Sequence, residues 1–444
     1  MIEESRVRQI LTLALPIIGG MVSQNILNLV DTAMVGTLGA PALTAVGMGG
    51  FLNFWAISLI LGISAGVQAM AARRMGEGRE GEAALSLNGG ILIALGAGLP
   101  LGVGLSVFTP IFFPYLNDDP EVIAAGVPYL QARLAAAFAV GINFSFRGFW
   151  NGIRQSAVYM RTLVFMHALN IILNYTLIFG NFGAPVMGVE GAGLASALSV
   201  IGGSLYYTLM GFTRVRHMGF LRAWPDAAGF RTLVRLSIPN SIQQFFFSGG
   251  LTAMFWIFGK VGTFEAAAAS IMINIMLVAY LPGIGLGLAA ATLVGQALGR
   301  GEAADARRWG WDVVRIGMLI LGGLGLPMIL FPDFIVGIFI QSADAATVID
   351  LARTPLRLSG VLMCMESVGL VLMNALLGAG DSRSVMLASV GMQWGLFLPV
   401  AFLLGPVLGF GLLTLWSANL AYRMLLAGVF VVLWRRAGWT EIRV

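Results

Sequence analysis

The chain has 444 residues, 58% of them hydrophobic and only 11% charged, with a mean hydropathy of +0.87 and a net charge of +5. That apolar excess leaves too little polar surface to solvate globular domains and places the chain in a bilayer. A single cysteine, Cys364, excludes a disulfide framework or cysteine-built zinc site, and two histidines, His167 and His217, leave little for a metal centre.

The opening MIEESRVRQ carries both charge signs and runs into apolar sequence without a small-residue cleavage site, so the first helix is expected to stay and insert. Breaking the apolar runs at charged or Pro/Gly-rich stretches predicts twelve spans, near 9–37, 42–72, 85–113, 122–146, 157–180, 186–212, 232–259, 265–296, 310–340, 346–377, 384–404 and 408–434. Each is long enough for a helix to cross ~30 Å of hydrocarbon, whereas a barrel needs short alternating segments. The expected class is an all-α membrane protein with twelve transmembrane helices.

Span 1 carries Pro16, which removes a backbone donor and predicts a bend. Beyond it Gln24, Asn28 and Asp31 follow at i, i+4 and i+7, which stacks them on one helix face. A carboxylate within a span costs ~2.5–3.5 kcal/mol on insertion scales, so Asp31 asks for a reason. On span 2, Gly62-Ile63-Ser64-Ala65-Gly66 matches a hydrolase nucleophile pattern but lacks its strand-to-helix setting, and close packing by small residues explains it better. Asp118 and Asp119 read as a solvated turn. Span 5 presents Asn170 and Asn174 four residues apart, and span 6 adds Ser196. Asp31 with these amide oxygens suits a hard cation such as Na+, or the carboxylate can hold a proton. Span 7 offers Ser241, Gln244 and Ser248 on one uncharged polar face. Glu366, mid-way along span 10 with no basic residue within a turn, is expected to be a cleft-facing carboxylate open to a cation or proton. Phe51, Phe54, Trp55 and Phe245 to Phe247, with many of the twenty-two methionines, could line an adaptable apolar cleft for flat organic cations.

With the N-terminus inside, twenty-two of the twenty-six basic residues fall on the cytoplasmic side, leaving Lys260, Arg133, Arg353 and Arg357 outside with the acidic runs Asp118 to Glu121 and Asp344 to Asp350. Both termini are then cytoplasmic. The positive charge reads as a topology and anionic-lipid signal, and no nucleic-acid-sized patch forms. The chain also matches itself at an offset of 223 residues, which sets Pro16 on Pro239, Gly36 on Gly259 and Gly62 on Gly285. A register of 226 then sets Gly152 on Gly378 and Ser156 on Ser382. The expected organisation is a six-helix lobe over 1–212, a basic cytoplasmic linker over 213–231 and a second six-helix lobe over 232–444, related as a parallel repeat. Such an architecture suits rocking of one lobe against the other around a central cleft, which makes transport the leading class. No G-x-x-x-x-G-K-[ST] loop occurs, so the energy is expected from a gradient and not from ATP.

The motifs LALP and LVDTAMVGTLG in span 1, LNIILNYTLIFGNFGAPVMGVEGAGLASA across spans 5 and 6, LPGIGLGLAAATLVGQALGRG in span 8 and NALLGAGDS after span 10 resemble the multidrug and toxic-compound extrusion (MATE) family over essentially the whole chain. The resemblance implies a two-lobe antiporter that exports cationic amphiphiles against inward Na+ or H+. Asp31 resembles the family's span-1 acid whose charge state is linked to transport, Asn170 and Asn174 resemble its span-5 partners, and Ser196 stands where threonine is common. With Asn at 174 the NorM-like pattern fits better than branches with a second acid there. Glu366, fifteen residues before Asp381, resembles the second-lobe acid of NorM-like members, while Phe247 departs from the acid expected on span 7. Gln24, Asn28, Gln244, Trp55 and Glu366 are the expected substrate contacts. The expected setting is the cell inner membrane, with lipids and small organic cations as partners and a monomer as the working unit, and no enzyme activity. A lipid-intermediate flippase of the same superfamily would need a basic cleft, and an intramembrane enzyme would need paired acidic clusters or a Ser–His dyad.

Overall fold

The structure is a computed structural model and describes residues 2–340 and 345–444, so Asp344 of the outer acidic run lies outside the described residues. Helices fill all twelve predicted runs, and no strand occurs among the described residues. In chain order they are α1 (Glu4–Gly36), α2 (Ala40–Leu61), α3 (Ile63–Gly76), α4 (Leu85–Ile93), α5 (Leu99–Phe112), α6 (Pro120–Ala135), α7 (Ala137–Gly152), α8 (Ser156–Phe179) and α9 (Gly188–Arg214). The second half follows with α10 (Ala227–Val261), α11 (Thr263–Gly299), α12 (Ala303–Leu330), α13 (Pro332–Gly337), α14 (Ala345–Ala379), α15 (Ser382–Val390), α16 (Leu398–Phe402) and α17 (Leu412–Arg436). Ten runs are long and apolar enough to cross a bilayer, and the α6–α7 pair, bent by 46°, makes an eleventh. The twelfth is α10, whose 35 residues give ample length while Asn240, Ser241, Gln243 and Gln244 dilute its hydropathy. The protein is an all-α membrane protein of twelve spans, six to each repeat.

Several spans are composite. The second is α2 and α3 joined at Gly62, the third carries a π-helical turn at Ala94–Gly98, and the eleventh carries two, at Gly391–Phe397 and Leu403–Val407. Such turns bend a membrane helix without losing its internal hydrogen bonding. The turn after α5 ends where Asp119 accepts from the Glu121 amide at 2.9 Å and caps α6, so the acidic pair there closes a helix end and needs no metal to explain it.

The chain forms two compact units, one of Gly19–Phe245 with Val444 and the other of Met1–Ile18 with Phe246–Arg443. The first part of α1 thus packs with the second repeat, and the first part of α10 with the first. Each exchange is seated on a glycine. A Cβ at Gly62 would strike Ser241 and the Ser237 carbonyl, and one at Gly285 would strike Ile18. The offset of 223 that pairs Gly62 with Gly285 also pairs Ile18 with Ser241, so the duplication read from sequence extends to packing. Gly66 meets Ser237 and Leu233 in the same way, which makes Gly62-x-Ser64-x-Gly66 a close-approach surface.

The 213–231 stretch is folded onto the unit that contains it. Val215, Met218 and Phe220 are buried, and Asn88 of α4 donates to the carbonyls of Gly219 (2.9 Å) and Ala223 (2.6 Å) while accepting from the Leu221 amide (3.1 Å). In the other unit, Arg6 holds the start of α1 to α12: its guanidinium bridges Asp305 and Asp312, each at 2.7 Å, and lies 3.6 Å over the Trp309 ring. A planar fork can serve two carboxylates and a ring at once. Arg6→Ala would leave Asp305 to Arg300 and Trp309 and Asp312 to Arg315, and is expected to cost about 1 kcal/mol, read as a lower melting temperature of the detergent-solubilised protein. Arg6→Lys should recover only part of that loss, and an unchanged melting curve for Arg6→Ala would show that the clamp carries no stability.

Candidate functional site

The polar residues of α1 and α8 meet as a ladder. Along α1, Gln24, Asn28 and Asp31 share a face because i, i+4 and i+7 nearly complete two helical turns; on α8, His167, Asn170 and Asn174 do the same at i, i+3 and i+7. Two rungs join them at the same sequence separation of 143. In the first, Nδ2 of Asn174 donates to Oδ1 of Asp31 at 2.7 Å; in the second, Nε2 of His167 and Oε1 of Gln24 lie 3.1 Å apart. Rungs seven residues apart on both helices mean that α1 and α8 run side by side in the same direction here.

The upper rung is extended sideways. Nδ2 of Asn174 also donates to Oδ1 of Asn170 at 3.0 Å, and Nδ2 of Asn170 donates to Oγ of Ser199 on α9 at 3.3 Å. Asn170 and Asn174 are 2% and 1% exposed, whereas Asp31 is half-buried. The lower rung continues as Nε2 of Gln24 donating to Oδ1 of Asn28 at 3.2 Å, with Asn28 exposed. Asp31 makes no ion pair among the described residues; Arg133, near the end of α6, is close enough to act on it through space and bonds instead to the Tyr129 hydroxyl. One acceptor beside the carboxylate is unused: Oδ1 of Asn174 is buried and has no hydrogen-bond partner. A carboxylate with amide oxygens at hand is hard-cation chemistry, and no cluster of three or more His, Cys, Asp or Glu that would suit a transition metal occurs among the described residues.

The structure therefore brings together Asp31, Asn170, Asn174, Gln24 and Asn28 of the residues singled out from sequence. Ser196 joins only through its carbonyl, which accepts from Ser199 Oγ at 2.9 Å, so the hydroxyl that reaches Asn170 belongs to the next turn. Gln244, half-buried on α10, takes no part in the ladder, and Trp55, exposed on α2, stacks on Phe245 with ring centroids 4.9 Å apart.

Glu366 departs from expectation. It is 4% exposed, and both of its oxygens are taken by Arg423 of α17, at 2.5 and 2.7 Å. The guanidinium also lies 4.6 Å from the Tyr280 ring. A bidentate pair uses the acceptor directions a cation or proton would need, so Glu366 is not the open carboxylate that its solitary place on span 10 suggests. Arg423, counted among the cytoplasmic bases from its place in the sequence, sits midway along a membrane helix.

Sequence reasoning missed His167, Ser199, Ser23 and Arg423. His167 shares the face of Asn170 and Asn174 and could have been found by extending that face one turn back. Arg423 is the one charged residue inside span 12, and a lone base in an apolar run calls for an acid on another helix without saying which.

The MatE family pattern matches residues 16–176 and again 239–403, beginning at the two prolines that the internal repeat superposes. The chain is 28% identical over 426 residues to a probable multidrug resistance protein NorM of Thermotoga maritima, covering 93% of this chain and 89% of that protein. It is equally 28% identical over 419 residues to a multidrug resistance protein NorM of Burkholderia vietnamiensis, with 91% and 88% covered. Among solved structures it resembles a transporter of the MOP superfamily from Pyrococcus furiosus, with a TM-score of 0.89 at 21% identity over 99% of this chain and 97% of that one. An outward-facing multidrug resistance MATE family transporter superposes with a TM-score of 0.88 at the same 21% identity, covering 99% and 97%.

Breaking the Glu366–Arg423 pair from one side should be far costlier than removing both charges. Glu366→Leu or Arg423→Leu alone is expected to lose ~3–5 kcal/mol, while the double substitution should lie close to the parent, as read from the thermal stability of the purified protein. A double variant no better than the worse single one would show that the pair is needed as a pair.

Proposed function

The chain belongs to the MatE family of multidrug efflux transporters, and from that footing we propose that it is a secondary active antiporter exporting cationic amphipathic compounds in exchange for inward Na+ or H+. The observation that carries the coupling site is Asp31, a membrane carboxylate whose hydrogen bond comes from the Asn174 amide and which no base neutralises among the described residues. A carboxylate in that setting gains more from a small cation than one already held by a guanidinium.

The same geometry supports a way for the ion to be received. Nδ2 of Asn174 serves both Asp31 and Asn170. An arriving Na+ takes over the carboxylate from that donor, and a half-turn of the Asn174 amide offers it the oxygen that is otherwise buried without a partner. A proton on Asp31 would need less: the acid hydrogen itself could be donated to an amide oxygen turned toward it. Either cation removes the buried negative charge, and the α1–α8 rung changes with it.

Energy supply is adequate, at ~2.3 kcal/mol per elementary charge per 100 mV before any concentration term. Export requires further that the small cation and the drug favour different arrangements of the protein, because a ligand that binds both equally shifts nothing. Gln24, Asn28, Gln244 and Trp55 are the proposed substrate contacts, the Trp55 ring offering its face to an organic cation. The proposed setting is the cell inner membrane with both termini cytoplasmic and a monomer as the working unit.

Dye efflux from proteoliposomes under a Na+ or a H+ gradient, imposed separately, tests the reading. Asp31→Asn is expected to abolish gradient-driven efflux, by at least tenfold, while the protein inserts and melts as the parent does. Undiminished efflux in Asp31→Asn would overturn the assignment of the coupling site, and equal parent efflux without any gradient would overturn antiport.

A further inference from the structure

His167 is the ladder residue to which the antiport reading gives no task. Its ring is buried, 7% exposed, and engaged at both nitrogens, Nε2 opposite Oε1 of Gln24 at 3.1 Å and Nδ1 opposite Oγ of Ser23 at 3.1 Å. Gln24 presents its oxygen to the ring because its own Nε2 donates to Asn28, so the imidazole Nε2 carries a hydrogen. Ser23 is free to choose. Its Oγ also lies 2.8 Å from the Gly20 carbonyl. With the hydroxyl donating to Nδ1 the ring is neutral; with the hydroxyl turned to the Gly20 carbonyl, its oxygen accepts from a protonated Nδ1 and the ring is an imidazolium. The Ser23–His167 bond is made in both forms and the bond to the Gly20 carbonyl only in the imidazolium form, so the two differ by one proton and the rotation of one O–H. A histidine that only glues two helices together needs just one of them.

Among the described residues no ion pair or hydrogen bond brings a charged side chain to the ring. Helix α1 brings Ser23 and Gln24, with Asp31 seven residues beyond; α8 carries Arg161, which is exposed. Arg147 of α7 is turned to the rings of Phe144 and Tyr159. Helix α9 has charges only at its ends, Glu190 and Arg214, and the phenols Tyr206 and Tyr207 between them. Asp31, about 10 Å along the ladder at ~1.5 Å per residue, is thus the one acid on the ladder face, with Asn28 between.

We infer that His167 is a second proton-binding site of the ladder, which takes a proton from water at Nδ1 while Asp31 is ionised and returns it to water when a cation neutralises Asp31. One proton is bound and one released, and no other bond changes. Linkage makes the effect reciprocal: the imidazolium weakens cation binding at Asp31 by the factor by which the cation weakens protonation of His167. Uptake of a cation at Asp31 is therefore accompanied by proton release one rung away. The purpose of this exchange rests on the antiport reading, but its measurement does not.

The chain has only two histidines, so ring NMR of histidine-labelled full-length protein in detergent micelles, titrated from pH 4 to 9 without substrate or gradient, resolves the question. His217 is exposed, and His217→Gln removes its signal and leaves that of His167, so the assignment does not depend on the folding of His167→Gln. The His167 signal is expected to titrate, and in Asp31→Asn its midpoint should fall by about one pH unit or out of the range, the shift due to losing a unit negative charge about 10 Å away at an effective dielectric constant of about 20. A His167 signal that stays unchanged in the parent from pH 4 to 9, or that titrates with the same midpoint in Asp31→Asn, overturns the inference. Failed efflux in liposomes with a coupled titration intact would instead fault the antiport reading.

Discussion

A polar side chain inside hydrocarbon has no water to fall back on, and every one in this protein must be answered by another helix or left to a ligand. That constraint is met in two different ways. In the second repeat, Glu366 is answered completely by a base, and the pair Glu366–Arg423 is neutral and closed. In the first repeat, Asp31 is answered by an amide, which supplies a hydrogen bond but no charge. The half-buried charge that remains is what the proposed cation coupling would use.

The amide ladder suits that incomplete answer. Asparagine and glutamine present a donor and an acceptor on the same group, so they can serve a carboxylate, a cation or each other by turning over. Asn174 uses its donor twice and its acceptor not at all. An arginine at the same place would have held Asp31 in one state, as Arg423 holds Glu366. Elsewhere the packing is tight where the backbones meet, as at Gly62 and Gly285, where the absence of a side chain permits the approach and Asn240 donates to the Gly62 carbonyl at 3.4 Å.

The spans, their number, the repeat and the Asp31–Asn174 meeting were legible because polar residues stand out in apolar runs and the helical period says which of them share a face. What lay hidden was pairing between helices far apart in sequence. Glu366 and Arg423 are 57 residues apart, and nothing local to either points to the other. Ser199 replaced Ser196 because a hydroxyl one turn along a helix meets a different neighbour, a difference that three-dimensional packing decides. The exchange of helix starts between compact units was equally invisible, since the repeat matches whole helices and contains no mark of where each one crosses over. The basic 213–231 stretch reads as a tether by composition, yet one asparagine, Asn88, gathers three of its backbone groups and folds it down.

The duplication also supplies an internal control on the meaning of the ladder. At the offset of 223, Gln24, Asn28 and Asp31 fall on Phe247, Leu251 and Met254, and Met254 is part of a hydrophobic core. In the register of 226 that pairs Gly152 with Gly378 and Ser156 with Ser382, His167 falls on Gln393, which is buried and packs against Gly250 of α10, and Asn174 falls on Val400. There too the two helices touch at the lower rung, with Nε1 of Trp394 donating to the Phe246 carbonyl at 3.0 Å. The same six-helix plan therefore assembles without the Asp31–Asn174 rung, with Met254 and Val400 in those places, while a buried amide, Gln393, remains at the lower one. Folding does not require a carboxylate there, and inserting one costs free energy in a bilayer. The presence of the carboxylate in one copy and its absence from the other separates what the architecture needs from what is left for use, and supports the proposal that the α1–α8 ladder serves transport.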